Sequence, residues 1–242
     1  MEKSIVIDIG NTRLKAGVFF NNILLSQQKI KLTDEHKIFD LIIKSGVKSI
    51  IVSNVSGKEV VILNQLPADV AVYNLGSETI LPFKNTYKSK QTLGADRLAL
   101  IAGAQHFFEN CNCLVIDAGT CITYDILTAD GKYPGGNISP GLQMRLKAMH
   151  NYTGKLPLPE WKQPEELMGT DTKSCLLTGA WFGLLGEIQF IIDQYSKDFD
   201  DLKVLLSGGD ATILAKHIKN SIFVNEHLLL YGLNKILIVN VN

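Results

Sequence analysis

Ile5-Val6-Ile7-Asp8-Ile9-Gly10-Asn11-Thr12-Arg13-Leu14-Lys15 organises this chain. An apolar run ends in an acid, a glycine and two short polar residues. Hydrophobic alternation then resumes at Leu14, Ala16, Val18 and Phe20. The pattern predicts a buried strand, a tight turn and a second strand pairing back on the first, with the turn at the mouth of the sheet. Gly10 permits close backbone approach, and Asn11 and Thr12 supply hydrogen-bond donors. Asp8 supplies a hard anionic oxygen suited to magnesium. A strand–turn–strand of this composition can cradle phosphate. It differs from the helix-opening P-loop, and no GxxxxGK[ST] occurs in the chain. Taken alone, the stretch also reads as a plain hairpin turn.

The logic then repeats. Leu114-Val115-Ile116-Asp117-Ala118-Gly119-Thr120 is followed by Ile122, Tyr124, Ile126 and Leu127, about half a chain further on. Internal repetition weighs more on the fold than any single motif. Two such units, each followed by further strands and helices, predict two similar α/β domains across a cleft. Each would donate one loop to a nucleotide's phosphates. Two unrelated turns of similar composition are the bland alternative.

Composition bounds the class. The chain has 242 residues, 46% apolar and 20% charged, which describes a globular protein with a sizeable core. Lys plus Arg and Asp plus Glu are 24 each, so no charge bias favours nucleic acid or an anionic membrane. A strand begins right after Met1-Glu2-Lys3, which leaves no room for a signal peptide. The most lipid-like run, Cys175 to Ile192, is interrupted by Glu187, Gln189 and three glycines, so it reads as a buried helix. Cys111, Cys113, Cys121 and Cys175 have no zinc spacing, and reduced, cytoplasmic residence is expected.

In chain order, Ile23 to Lys31 reads as a third strand. Asp34 to Ser45 reads as a helix with Phe39, Ile42 and Ile43 on one face. Ser49 to Ser53 and Val70 to Asn74 are expected strands, and Lys58 to Leu66 a helix stopped by Pro67. Pro82 to Thr92 is a polar surface loop that opens into Leu93-Gly94-Ala95-Asp96-Arg97 and a helix to about Phe108. An acid in a first helical turn is ordinary chemistry, because it complements the macrodipole. Arg97 beside it adds a two-pronged donor for a carboxylate, so the pair can bind a hydroxyl and a carboxylate together.

Further on, Tyr133-Pro134-Gly135-Gly136-Asn137-Ile138-Ser139-Pro140-Gly141 marks backbone that something approaches closely, or a bulged edge strand. Leu142 to His150 is an expected helix, with Arg145 and Lys147 read as a solvated face. Thr153 to Glu166 is an expected loop. Gly169-Thr170-Asp171-Thr172 caps a long apolar helix reaching Tyr195, whose Gly179, Gly183 and Gly186 suit a close helix or subunit contact. Val204 to Ser207, Gly208-Gly209-Asp210 and a helix from Ala211 form a βα unit that can seat adenine or ribose, or is simply a turn. A terminal helix spans Glu226 to Leu237.

Five stretches together resemble type III pantothenate kinase: Asp8–Lys15, Gly94-Ala95-Asp96-Arg97, Asp117–Thr120, Gly135–Gly141 and Thr170-Asp171-Thr172. They occur in that family's order from residue 5 to about residue 210, and the Gly-Ala-Asp-Arg element is the most specific. The resemblance implies the actin, sugar kinase and heat-shock ATPase superfamily: two actin-like, ribonuclease H-like α/β domains, 1–112 and 113–242, facing a central nucleotide cleft. It implies ATP-dependent phosphorylation of pantothenate, the first step of coenzyme A synthesis, by a homodimer using magnesium and potassium or ammonium.

By residue, the resemblance implies that Asp8, Ile9, Gly10, Asn11, Thr12, Arg13, Leu14 and Lys15 hold the ATP phosphates, with Asp8 near magnesium. Thr120 would contact the nucleotide and Asp117 the monovalent cation. Asp96 would be the general base. Tyr87, Gly94, Ala95, Asp96 and Arg97 would line the pantothenate pocket, with Thr172 reaching it from a partner chain. Lys90, where family members often carry proline, and Pro157-Leu158-Pro159-Glu160-Trp161 depart from the family pattern. A nucleotide-binding regulatory protein without kinase activity is the competing function. It would be expected to lack Asp8 or Asp96, and both are present.

Overall fold

A computed structural model describes residues 3–10, 13–54, 56–57 and 60–241. In chain order its strands are β1 (Lys3–Ile9), β2 (Arg13–Phe20), β3 (Ile23–Lys31), β4 (Ser49–Asn54), β5 (Ala71–Asn74) and β6 (Lys84–Asn85). There follow β7 (Cys113–Ala118), β8 (Cys121–Leu127), β9 (Lys132–Tyr133), β10 (Gly135–Pro140), β11 (Lys203–Ser207) and β12 (Ile222–Val224). The helices are α1 (His36–Ser45), α2 (Ala95–Phe107), α3 (Leu142–Asn151), α4 (Thr172–Asp198), α5 (Ala211–Ala215) and α6 (Leu228–Val241).

The expected duplication is present as topology. One five-stranded sheet runs β3-β2-β1-β4-β5 and the other β10-β8-β7-β11-β12, the same order twice. In the first, β2 runs antiparallel to β1 and β4 runs parallel to it. The Asp-bearing strand is central in each sheet, and everything from Ser4 to Ile9 is buried, which explains its uninterrupted apolar run. The register also repeats: Asp8 lies opposite Ser53 on β4, and Asp117 opposite Ser207 on β11.

The chain divides into two compact units. The first comprises residues 1–110, 127–135 and 227–242, and the second 111–126 and 136–226. The sequence places its division at 112/113, so two later segments differ from that expectation. Residues 127–135 belong with the first unit because Lys84–Asn85 pairs with Lys132–Tyr133. Segment 227–242 joins it because α6 packs on α2, β1 and β4. Glycines permit the close crossing of the two helices. A Cβ on Gly232 would lie 1.7 Å from the Ala99 carbonyl, and one on Gly103 would lie 2.3 Å from the Leu228 carbonyl. No local pattern announces a pairing between helices so distant in sequence.

Other differences are local. Leu32–Asp34 forms a 3-10 turn ahead of α1, whose buried face is Ile38 and Ile42 while Ile43 is exposed. The expected helix from Lys58 is a 3-10 segment over Val61–Gln65, with Lys58 and Glu59 outside the described residues. In the second unit, α4 is long and apolar enough to cross a membrane by composition. It nevertheless buries Leu176, Ala180, Trp181, Leu184, Ile188 and Ile192 in that unit's core. Trp161, from the unmatched stretch, packs 5.6 Å from Trp181 and so anchors its loop to the same core.

Candidate active site

In the first unit the central carboxylate is Asp8, on β1 and 7% exposed. Burial pushes its pKa up from 3.8 to about 6. Lys15, directly opposite on β2, and the Ser53 hydroxyl favour the ionised form, while the charge of Asp96 disfavours it. The fold therefore holds Asp8 and Asp96 within electrostatic reach of each other. Such a site gains from a cation. Magnesium takes one or two carboxylates plus water and phosphate oxygens, and Asp8 fits that donor set. Among the described residues there is no group of three or more His, Cys, Asp and Glu placed to hold a metal without such additional ligands.

The turn after Asp8 is closed by the Gly10 N–H donating to the Arg13 carbonyl at 3.0 Å. Asn11 and Thr12 lie outside the described residues. Ile9 and Leu14 are core side chains, so they can offer a ligand only backbone atoms, whereas Arg13 is exposed.

Gly94 is the N-cap of α2, and Asp96 stands in its first turn. The Asp96 Oδ1 accepts the Arg97 N–H at 2.8 Å, which sets the carboxylate's orientation at the helix start. Arg97 is 6% exposed, and its guanidinium lies over the Tyr87 ring at 5.6 Å, a cation–π contact. Tyr87 in turn stacks on Tyr133, with centroids 6.2 Å apart and planes 9° apart. This accounts for part of the glycine-rich stretch. Gly135 has φ of 134°, and a Cβ there would come 2.9 Å from the Tyr87 ring. Beside Gly94 and Ala95 is a cavity of about 360 Å³, also lined by Asn54, Ser77, Lys90 and Leu98. Lys90, the departure from the family pattern, is thus a wall of that cavity.

In the second unit Asp117 is half-buried near the end of β7 and Thr120 is exposed in the following turn. Thr120 lines a cavity of about 470 Å³ with Gly119, Met144, Lys147, Tyr152 and Asp210. Burial raises the pKa of the Asp210 carboxyl. The Gly208-Gly209 turn is tight for a steric reason: Gly208 has φ of 96°, and its Cβ would lie 2.3 Å from the Ala118 carbonyl. Thr172 is the exposed first residue of α4, whose N-cap Asp171 accepts the Lys173 N–H at 2.9 Å and the Ser174 N–H at 3.1 Å.

One polar cluster escaped the sequence reading. Arg145 is not part of a solvated face, because its guanidinium is paired with Glu187 of α4. Glu187 also accepts the Tyr124 hydroxyl at 2.8 Å and the Ser139 hydroxyl. Burial opposes ionisation of Glu187, but the bonds from Ser139, Arg145 and Tyr124 outweigh it and hold the pKa below the ordinary value. The one available signal was Glu187 as the lone charge in the apolar run from Cys175 to Ile192.

A family model for type III pantothenate kinase matches residues 4–194. The type III pantothenate kinase of Christiangramia forsetii is 42% identical over 239 residues, 98% of each chain. That of Bacteroides fragilis is 40% identical over 242 residues, again 98% of each. Among solved structures, a Campylobacter jejuni protein described as a Baf family transcriptional activator aligns with a TM-score of 0.62 at 22% identity, covering 98% of this chain and 99% of that one. A Streptomyces griseus glucokinase of the ROK family aligns at 0.52 with 12% identity, covering 98% of each chain. At those identities the likeness to the solved structures shows the fold alone, α/β in both units.

Proposed function

Because the chain belongs to the type III pantothenate kinase family, we propose that its first unit carries the acceptor chemistry and its second unit seats the nucleoside. Membership makes it an ATP-using kinase that phosphorylates pantothenate in coenzyme A synthesis. Phosphoryl transfer has a loose transition state, so the protein mainly positions groups and neutralises charge. Asp96 accepts the proton of the pantothenate hydroxyl as that oxygen attacks the γ-phosphorus. Arg97 and Tyr87, held together by their ring contact, bind the remainder of the acceptor with Gly94 and Ala95. Asp8 is the residue that would hold magnesium, which when bound offsets the charge of the β- and γ-phosphates. Arg13, Lys15 and the backbone of the first turn, with Asn11 and Thr12, take the phosphates. Thr120 and the cavity beside it take the nucleoside end, and Asp117 a monovalent cation, potassium or ammonium.

A second copy of the chain completes this reading. Cys175, Gly179, Gly183, Gly186 and Phe190 recur on one exposed face of α4, and among the described residues nothing beyond the helix's own neighbouring backbone lies within 4 Å of a Cβ built on any of those glycines. A bare glycine stripe flanked by apolar side chains suits close packing against a partner. Thr172, at the start of that helix, would then reach the partner's acceptor site. The four free cysteines suit a reducing, cytoplasmic setting.

The observation that carries the reading is Asp96: oriented by the Arg97 N–H, in electrostatic contact with Asp8, and next to an arginine capped by Tyr87. A coupled assay of ADP release with and without pantothenate tests it. Release that requires pantothenate and magnesium is expected. Nucleotide binding without pantothenate-dependent turnover would instead establish the regulatory-protein alternative. Light scattering on the eluting peak should give about twice the 26.7 kDa chain mass, and an active monomer would remove the role of Thr172.

A further inference from the structure

We infer that Glu187 is a positioning residue for nucleotide binding, acting through Arg145 and the start of α3 on the second phosphate loop. The inference rests on the reading that Thr120 and its cavity seat ATP.

The connection is continuous and lies wholly within the second unit. Glu187 projects from the middle of α4 and receives three donors from three other segments: Tyr124 of β8, Ser139 of β10 and Arg145 of α3. Arg145 spends its Nε on the Pro140 carbonyl at 2.8 Å, so the guanidinium bridges α4 to the residues that lead into α3. The next residue, Gly141, donates its N–H to the Thr120 carbonyl at 3.0 Å. There is no slack at that point. A Cβ on Gly141 would fall 2.2 Å from the Gly119 carbonyl and 2.6 Å from that of Thr120. One turn along, α3 presents Met144 and Lys147 to the same cavity that Thr120 lines.

Any shift of the α3 start therefore moves the Gly119–Thr120 backbone and one cavity wall together. A carboxylate with three charge-assisted or hydroxyl donors is a fixed point, since each bond to an ion is stronger than a neutral one. A glutamate serving only to stabilise α4 would need no arginine reaching on to Pro140. Tyr124 adds rigidity from the sheet side, because Gly136 passes its strand so closely that a Cβ would lie 1.7 Å from the Tyr124 carbonyl. The three donor segments meet at Glu187.

Glu187→Gln tests this with the full-length protein. The amide oxygen can still accept from Tyr124 and Ser139, but the charge facing Arg145 is gone. The expected result is a KM for ATP raised about tenfold, with kcat and the KM for pantothenate within twofold. The dissociation constant of magnesium–ATP by calorimetry, without pantothenate, should rise by the same factor. Arg145→Met should reproduce the effect, and Glu187→Gln with Arg145→Met should be no worse than either alone, because both cut one link. If Glu187→Ala fails to fold, the glutamine variant decides. A folded Glu187→Gln protein with unchanged ATP affinity, or with both KM values raised together, overturns the inference. Unaltered protein that binds ATP but leaves pantothenate untouched would overturn the kinase reading while the calorimetry still judged Glu187. Unaltered protein that binds no ATP would overturn both.

Discussion

The two units carry one strand order and one Asp-opposite-Ser register, yet they treat the acid differently. Asp8 is nearly enclosed, with Lys15 opposite and Asp96 adding its charge. Asp117 remains half-buried, and the turn after it opens onto a cavity large enough for a nucleoside. The same hairpin thus sits in two different surroundings, depending on what packs around it. In the first unit the helix start of α2 brings a second acid close. In the second, α3 and the Gly208-Gly209 turn form walls. Topology supplies the position of a loop and its neighbours supply the chemistry.

If that division holds, substituting either acid of the first unit, Asp8 or Asp96, should chiefly lower kcat, and substitutions around the second unit's cavity should chiefly change ATP affinity. The largest effect is expected at Asp96. Asp96→Asn keeps the shape and an acceptor for the Arg97 N–H, so thermal unfolding should be nearly unchanged. Turnover should fall on the order of a hundredfold or more, with ATP still bound. Near-normal turnover would remove the acceptor chemistry from this unit.

Asp8 gives a sharper contrast, because activity and stability should move in opposite directions. Its carboxyl titrates at about 6 in the folded chain against 3.8 unfolded, so the folded state binds the proton more tightly. Folding stability on this account falls as pH rises from about 4 to 6, and the cost is complete above that. Asp8→Asn removes the buried charge, so above pH 7 it should stabilise the metal-free protein by up to roughly 3 kcal/mol. At pH 4 the folded Asp8 is protonated and most of that cost is gone, so the two proteins should differ by less than about 1 kcal/mol. Denaturant melts at the two pH values check this, and activity should be lost in the asparagine variant. Equal stability at pH 8 would show that the carboxylate is solvated after all.

The second unit should respond more mildly. Asp117→Asn is expected to raise the KM for ATP by about tenfold, or roughly 1.4 kcal/mol of binding, and to abolish the difference between potassium and sodium. A loss of kcat alone would break the comparison. Smallest is Tyr152→Ala, which removes an exposed ring from the cavity rim. A base packed on that ring gains roughly 0.5–1.5 kcal/mol, so a few-fold rise in the KM for ATP is expected, with no change for pantothenate.

Where the first unit's candidate residues stand in the fold was largely legible in the sequence. Asp8, Asp96 and Arg97 stand at a strand end and a helix start, and those positions follow from hydrophobic period, glycines and capping logic. The ring contact between Arg97 and Tyr87 was not legible, since it depends on where a polar loop returns. Gly135 carried a trace of it: a glycine with no turn of its own to explain it, now seen under the Tyr87 ring. Arg145 was misread as solvated because helical spacing alone cannot reveal an acid on another helix. Glu187 had the complementary clue, a charge amid apolar residues, and burial of a charge requires partners.

What this sequence determined by itself was local and repeated. It specified two Asp-ended strands, the hairpins that follow them, and a helix opening with Gly-Ala-Asp-Arg. Periodicity and turn chemistry act over a few residues and need no distant neighbour. Only the tertiary structure decided that the terminal helix crosses α2 at Gly103 and Gly232. It alone raised the Asp8 pKa and joined Glu187 to the second loop through Arg145. Each of these depends on desolvation or close approach between segments far apart in sequence, and such forces have no value until the chain has folded.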